Sequence, residues 1–229
     1  MRGQLSARVL VILLGMVWAG VLQAGEPAPP ETCRTQAFDA KMECYQQHLE
    51  TVLRAEGTEV ALTALEQIRV LNRVFFEIHG FSGNTQHYHA PQNSFINIAL
   101  ESRKGNPLML SILYQEVAQG AGIPVYGVNL PEHFILCYKE DADPGSGSAG
   151  QVLFYVNPFS KGDVFHRKEI DLFLQQLKIM PDRSFYEPCT NLDMIQRLIR
   201  NLMNSYHKLG FMDKVQELEQ LMKATDLKS

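Results

Sequence analysis

Three features of the sequence predict an α+β fold. Leu108, Ile112, Leu113, Val117 and Ala118 give a helix starting at Pro107 a strongly apolar face, so that helix should be central and buried. Three β-forming runs follow it, at 125–130, 134–138 and 152–156. Helical periodicity flanks this unit on both sides. The expected architecture is a helical N-terminal layer, a central helix on a small antiparallel sheet, and a C-terminal helical hairpin.

The first 24 residues read as a processing segment. Arg2 and Arg8 form a basic start, an apolar run from Val9 follows, and Leu22-Gln23-Ala24 offers a small-residue cleavage site. Cleavage after Ala24 would place the mature chain in a secreted or periplasmic location; an uncleaved signal anchor is the alternative. Residues 25–57 read as a Pro-rich linker and a first helix, in which Phe38, Met42, Tyr45 and Leu49 share one face and which Gly57 ends. Residues 58–165 form the expected core and 166–229 the C-terminal helices.

Within the core, Thr58 is the expected N-cap of a helix that Gly80 closes. Residues 80–93 form a loop rich in Gly, Asn and His. His87 and His89 sit there without a neighbouring Cys, Asp or Glu, too sparse a set for a metal, so no metal or cofactor is expected. A helix from Ser94 to Arg103, capped at Asn93-Ser94, precedes a break at Lys104-Gly105. Pro107 suits the first position of the central helix, where a missing N–H costs nothing. Gly120 and Gly122 end that helix. The acidic, Gly/Ser-rich segment between the second and third strands reads as a solvated hairpin loop. Helices follow at 168–177, 191–208 and 212–224, the last two joined at Gly210 and too small to bury both faces alone.

The chain has 229 residues, 45% hydrophobic and 20% charged, enough for one good core. Its net charge is -4, and the residues after Ala24 carry -6. That balance, without a basic cluster, argues against nucleic acid. Once the leader is removed, no stable membrane insertion is expected. The four cysteines are Cys33, Cys44, Cys137 and Cys189. Cys33 and Cys44 are the easiest pair to close. Cys137 and Cys189 then remain, either as a second disulfide or as buried free thiols.

The motifs GNPLMLSILYQEVAQGAGIPVYGV, PEHFILCY and FYVNPFSKG place a helix ahead of a strand that starts with His133 and another that ends in Asn157-Pro158. Together with NRVFFEIHGFSGN, NSFINIALESRK and NLMNSYHKLGFMDKVQELEQL, they resemble the bacterial SirB-type branch of the transglutaminase-like superfamily over about residues 70–225. The resemblance implies a cysteine-protease-like core followed by tetratricopeptide-like helices. In active members a cysteine opens the central helix. Counting back from Gly122-Ile123-Pro124 by the family's spacing lands on Pro107, so the nucleophile position holds no nucleophile. His133 matches the family's histidine, and Asn157 the position that usually carries aspartate. Asn93, Asn97, Arg103 and Glu116 match family-typical polar positions and are expected to form a structural network. A helix N-terminus would lower a cysteine's pKa, whereas proline there supplies neither thiol nor hydroxyl.

Two substitutes for the nucleophile fail on geometry. Ser111 lies one turn into the helix, in its wall. Cys137 shares a strand face with His133 but sits roughly 13 Å along it, too far for a nucleophile–base hydrogen bond. The expected function is an exported, non-catalytic module that binds a protein or peptide partner. Two alternatives remain: a hydrolase or amidase using His133 and Asn157 without the usual cysteine, and a structural or assembly factor acting through its C-terminal helices.

Overall fold

A computed structural model describes residues 38–57, 61–140 and 150–226. The expected leader, Cys33, Thr58 and most of the loop between the second and third predicted strands lie outside the described residues. Helix α1 spans Phe38–Glu56 and buries Met42, Tyr45 and Leu49. Helix α2 spans Ala64–Asn72 and runs into a π-helical turn at Arg73–Ile78. The cap of α2 is Thr63, which shares a reciprocal capping box with Glu66. The helix therefore starts later than a cap at Thr58 implies. Strand β1, Ser82–Gly83, pairs in parallel with β2, Lys104–Gly105. Between them lie a 3-10 turn at Pro91–Ser94 and helix α3, Ile96–Ser102. Phe95 stands at the N-cap of α3 without a side-chain bond. The expected Asn93-Ser94 cap is not formed, because both side chains are used elsewhere.

Central helix α4 spans Pro107–Gly120, with every residue from Pro107 to Gln115 buried. Strands β3 (Val125–Leu130), β4 (His133–Lys139), β5 (Val152–Asn157) and β6 (Asp163–Phe165) form one antiparallel sheet in that order. Helix α5 (Arg167–Gln176) and the hairpin α6 (Asn191–Leu209) and α7 (Met212–Asp226) complete the chain. Gly210 takes a left-handed conformation (φ 79°) that lets the chain reverse between α6 and α7.

The sheet is buried on both faces. Phe134, Leu136, Tyr138, Phe154 and Val156 join α4 in the main core, together with Met194 and Leu198 of α6. Val128, Leu130, Ile135, Cys137 and Tyr155 pack on the other side with Ile170 and Leu174 of α5 and with Tyr186. Two-sided burial explains why Phe134–Tyr138 is a continuous apolar run rather than an alternating one. Each large side chain so buried contributes about 1.5–3 kcal/mol. A third cluster, Ile199, Leu202 and Leu218, zips α6 to α7.

Two polar clamps tie the layers together. Tyr114, fully buried on α4, donates to Asn72 Oδ1 (2.7 Å), and Asn72 Nδ2 donates to Gly162 O (3.0 Å). Gly162 is left-handed (φ 77°), and a Cβ there would fall 1.9 Å from Asn72 Oδ1. The second clamp pairs His48 Nδ1 with His79 Nε2 (3.0 Å), while Arg103 Nη1 donates to His79 O (2.6 Å). Burial, then His48 and Arg103, lower the His79 pKa to about 4.

Cys44 is disulfide-bonded. Cys137 and Cys189 are free thiols, so the second disulfide is not formed. Cys137 belongs to the cluster under α5, whereas Cys189 packs against the main core, its N–H donating to Gly127 O at the edge of β3. Among the described residues no helix is long and apolar enough to cross a membrane.

Gly162→Ala should cost about 2–4 kcal/mol, combining left-handed strain with a broken Asn72 clamp, as read from the urea midpoint at constant slope. His79 is held neutral, with a folded pKa below its unfolded value of 6.5. Its contribution is therefore complete above pH 6.5 and is lost as pH falls from 6.5 toward about 4. The loss should not exceed about 1.4 kcal/mol per pH unit. Thermal unfolding of wild type should shift downward across that window, and the shift should be smaller in His79→Gln.

Candidate functional site

The start of α4 is closed. Asn106 Oδ1 accepts the Met109 N–H (2.9 Å), and Asn106 Nδ2 donates to Ser94 Oγ (2.8 Å). Pro107 follows at the first helical position, buried and without an N–H. Asn106 is 7% exposed and Leu108 2%. Both polar side chains of this cap, Asn106 and Ser94, are buried. Asn93 extends the closure: its Nδ2 donates to His87 O (2.6 Å) and Tyr88 O (3.1 Å), and its Oδ1 accepts from Asn84 Nδ2 (2.8 Å). The 84–90 loop is thereby fastened beside the helix start.

The family-typical polar residues do not form one network. Asn97 is exposed on α3, against the expectation. Arg103, left-handed at φ 58°, caps α3 and serves the His79 clamp; its Nε is buried without a partner among the described residues. Glu116 lies about 14 Å along α4 from Pro107 at helical rise. Its carbonyl accepts from Gln46 Nε2 on α1, and burial raises its carboxyl pKa. The matched positions belong to separate layers, and only Asn93 reaches the start of α4.

His133 opens β4 after the two-residue turn Pro131-Glu132, where Glu132 is left-handed (φ 56°). A non-glycine residue in that region costs about 1–2 kcal/mol. The imidazole lies on the same sheet face as Ile135 and Cys137, with Phe173 of α5 6.3 Å away. It makes a loose hydrogen-bonding contact with Asn157, whose Oδ1 also accepts the Phe159 N–H and whose Nδ2 donates to Ser160 Oγ (3.1 Å each). Burial, then the nearby Arg197, hold the His133 pKa below its ordinary value, while Asn157 opposes them. His133 is therefore neutral near pH 7. Pro107 is buried, and Leu108 and Met109 after it belong to the core on the opposite face of the sheet.

Ser111 is 0% exposed, and its Oγ has no partner among the described residues. Burial pushes the Cys137 thiol up to about 12. Both findings fit a wall rather than a nucleophile. His87 and His89 are exposed, and Lys208 Nζ lies 3.2 Å from His89 Nε2. A cation so close opposes metal ligation there. Among the described residues no group of three or more His, Cys, Asp or Glu side chains could hold a metal.

Arg197 of α6 completes the site and was not singled out by the sequence. Its Nη1 donates to Asn129 Oδ1 (3.0 Å) and Leu130 O (2.9 Å) at the end of β3. Its advance signal is a basic stripe, Arg197, Arg200 and Lys208, beside the apolar face of the helix. Exposed Tyr88, 5.8 Å from the Phe159 ring, lies across from it. A separate open depression of about 960 Å³, lined in part by Tyr155, Arg167 and Tyr186, lies away from these residues.

The His133 imidazole should titrate below the usual histidine value by NMR. Its pKa should rise in Arg197→Gln, which removes a neighbouring charge, and fall in Asn157→Ala, which removes the opposing contact.

The sequence profile described as Transglutaminase-like superfamily matches residues 36–200. A UPF0162 protein of Xylella fastidiosa (strain 9a5c) is 29% identical over 183 residues, covering 77% of this chain and 60% of that protein. F-box only protein 21 of Mus musculus is 26% identical over 77% of this chain and 27% of its own length. A UPF0162 protein of Vibrio cholerae is 27% identical over 56% of this chain and 45% of its own length. The chain thus spans less than two thirds of each of these relatives. No solved structure matches. With the profile spanning α1 through most of α6, and an α+β core of the matching kind in place, the chain belongs to the transglutaminase-like superfamily.

Proposed function

We infer that this chain is an exported, non-catalytic transglutaminase-like module that binds a protein or peptide partner at the mouth formed by His133, Asn157 and the Tyr88 loop. One observation carries it: the helix start that would present a nucleophile is instead a buried Asn106–Pro107 cap, held by Ser94, while His133 stays half-buried at a strand end. A neutral imidazole and an amide beside an exposed aromatic ring can exchange hydrogen bonds and stacking contacts with a peptide. Export is supported by the leader-like first 24 residues and by the disulfide at Cys44, a bond typical of oxidising compartments. Placement in the SirB-type branch, with α6 and α7 as tetratricopeptide-like helices, rests on motif likeness across residues 70–225.

Crosslinking and pull-down from the exported compartment tests the function. A partner should be captured by wild type and reduced about tenfold or more by His133→Ala at unchanged unfolding temperature. Full retention in His133→Ala would move the interface to the C-terminal helices. A measurable activity blocked by thiol reagents would overturn the non-catalytic assignment.

A further inference from the structure

The charge on one edge of the site is out of keeping with the acidic chain around it. From Arg197 to Lys208, α6 carries Arg197, Arg200 and Lys208 and no carboxylate. Arg200, Asn204 and Lys208 follow Arg197 at i+3, i+7 and i+11, so the stripe runs along one helix face. Both ends of the stripe meet the 84–90 loop: Arg197 lies near Tyr88, and Lys208 contacts His89. Among the described residues none of the three cations forms an ion pair. The guanidinium of Arg197 is half-buried and bonded to neutral oxygens, an amide and a carbonyl. Glu132, the nearest acidic side chain named around it, stands outside ion-pair distance and is exposed on its turn. A partly desolvated, unmatched guanidinium is costly to leave without an anion and is shaped for bidentate carboxylate recognition.

We propose that the basic face of α6 beside the Tyr88 loop binds side-chain carboxylates of an acidic, extended peptide segment of the partner. The proposal rests on the partner-binding function above and names the chemistry that the partner presents. Arg197 and Lys208 are about 16 Å apart along the helix, too far for one carboxylate. An extended chain covers that span in about five residues. Tyr88 supplies a stacking surface at the Arg197 end. The net charge of -4 and the amide residues between the cations favour a peptide over a nucleic acid.

The probe is fluorescent hexaglutamate, titrated into the full chain by anisotropy, with hexaglutamine and hexathymidylate as controls. Hexaglutamate should bind saturably and weaken about tenfold between low and physiological salt, and hexaglutamine should not bind. Arg200→Glu and Lys208→Glu, both at exposed positions, should each weaken hexaglutamate about tenfold without changing the unfolding temperature. Equal binding of hexaglutamine, equally tight binding of hexathymidylate, or full affinity in Arg200→Glu overturns the proposal. The two ideas fail separately. A crosslinked partner lost in His133→Ala but kept in Arg200→Glu leaves the binding function and removes the acidic-peptide face. Hexaglutamate binding lost in Arg200→Glu, with a partner that ignores His133→Ala, does the reverse.

Discussion

The capped start of α4 is the constraint on which the other elements depend. A helix buried from Pro107 to Gln115 cannot leave its first N–H groups without partners. Asn106 supplies one acceptor, and proline removes one donor. The amide that remains on Asn106 reaches Ser94, and neighbouring Asn93 holds the 84–90 loop. The same few atoms thus close the helix, place the 3-10 turn at Pro91–Ser94 and fasten the 84–90 loop. A thiolate at this point would need a donor-rich, open helix end. In this protein the helix start is a sealed joint.

The sheet shows how little slack surrounds that joint. It is sandwiched, with α4 on one side and α5 with Tyr186 on the other, so its strands cannot shift register without exposing one core or the other. The clamps at Tyr114–Asn72–Gly162 and His48–His79–Arg103 sit where layers meet, and each engages backbone as well as side chain. Buried polar groups of this kind fix a unique arrangement even where their net contribution to stability is small. The candidate site residues lie at the rim, where β3 ends, β4 begins and α6 passes by. There His133 and Arg197 keep partial access to solvent.

Most of the fold was legible in sequence because its elements are long and periodic. Both terminal helices, the central helix and the three longer strands fall within a few residues of expectation. The failures have local causes. Strand β6 and the β1–β2 pair are too short to show periodicity. Thr58 and Thr63 are both plausible caps, and only the reciprocal bond from Glu66 chooses between them. Asn93 and Ser94 were expected to cap a helix, but their side chains serve longer-range contacts that spacing does not encode. At the site, the closeness of His133 and Asn157 follows from adjacent antiparallel strands. Arg197 could not be found that way, since it arrives from a helix more than sixty positions later.

The two unpaired thiols give the sandwich a chemical meaning. Burial raises Cys137 and Cys189 to about 12, so the thiolate fraction at neutral pH is on the order of one in 10⁵. Disulfide exchange needs the thiolate, so burial leaves both sulfurs nearly inert as attacking groups. In an oxidising environment the folded chain would therefore keep a single crosslink at Cys44 without shuffling. The order of events matters more than the count of cysteines: once both thiols are buried, the disulfide at Cys44 is protected kinetically by the fold.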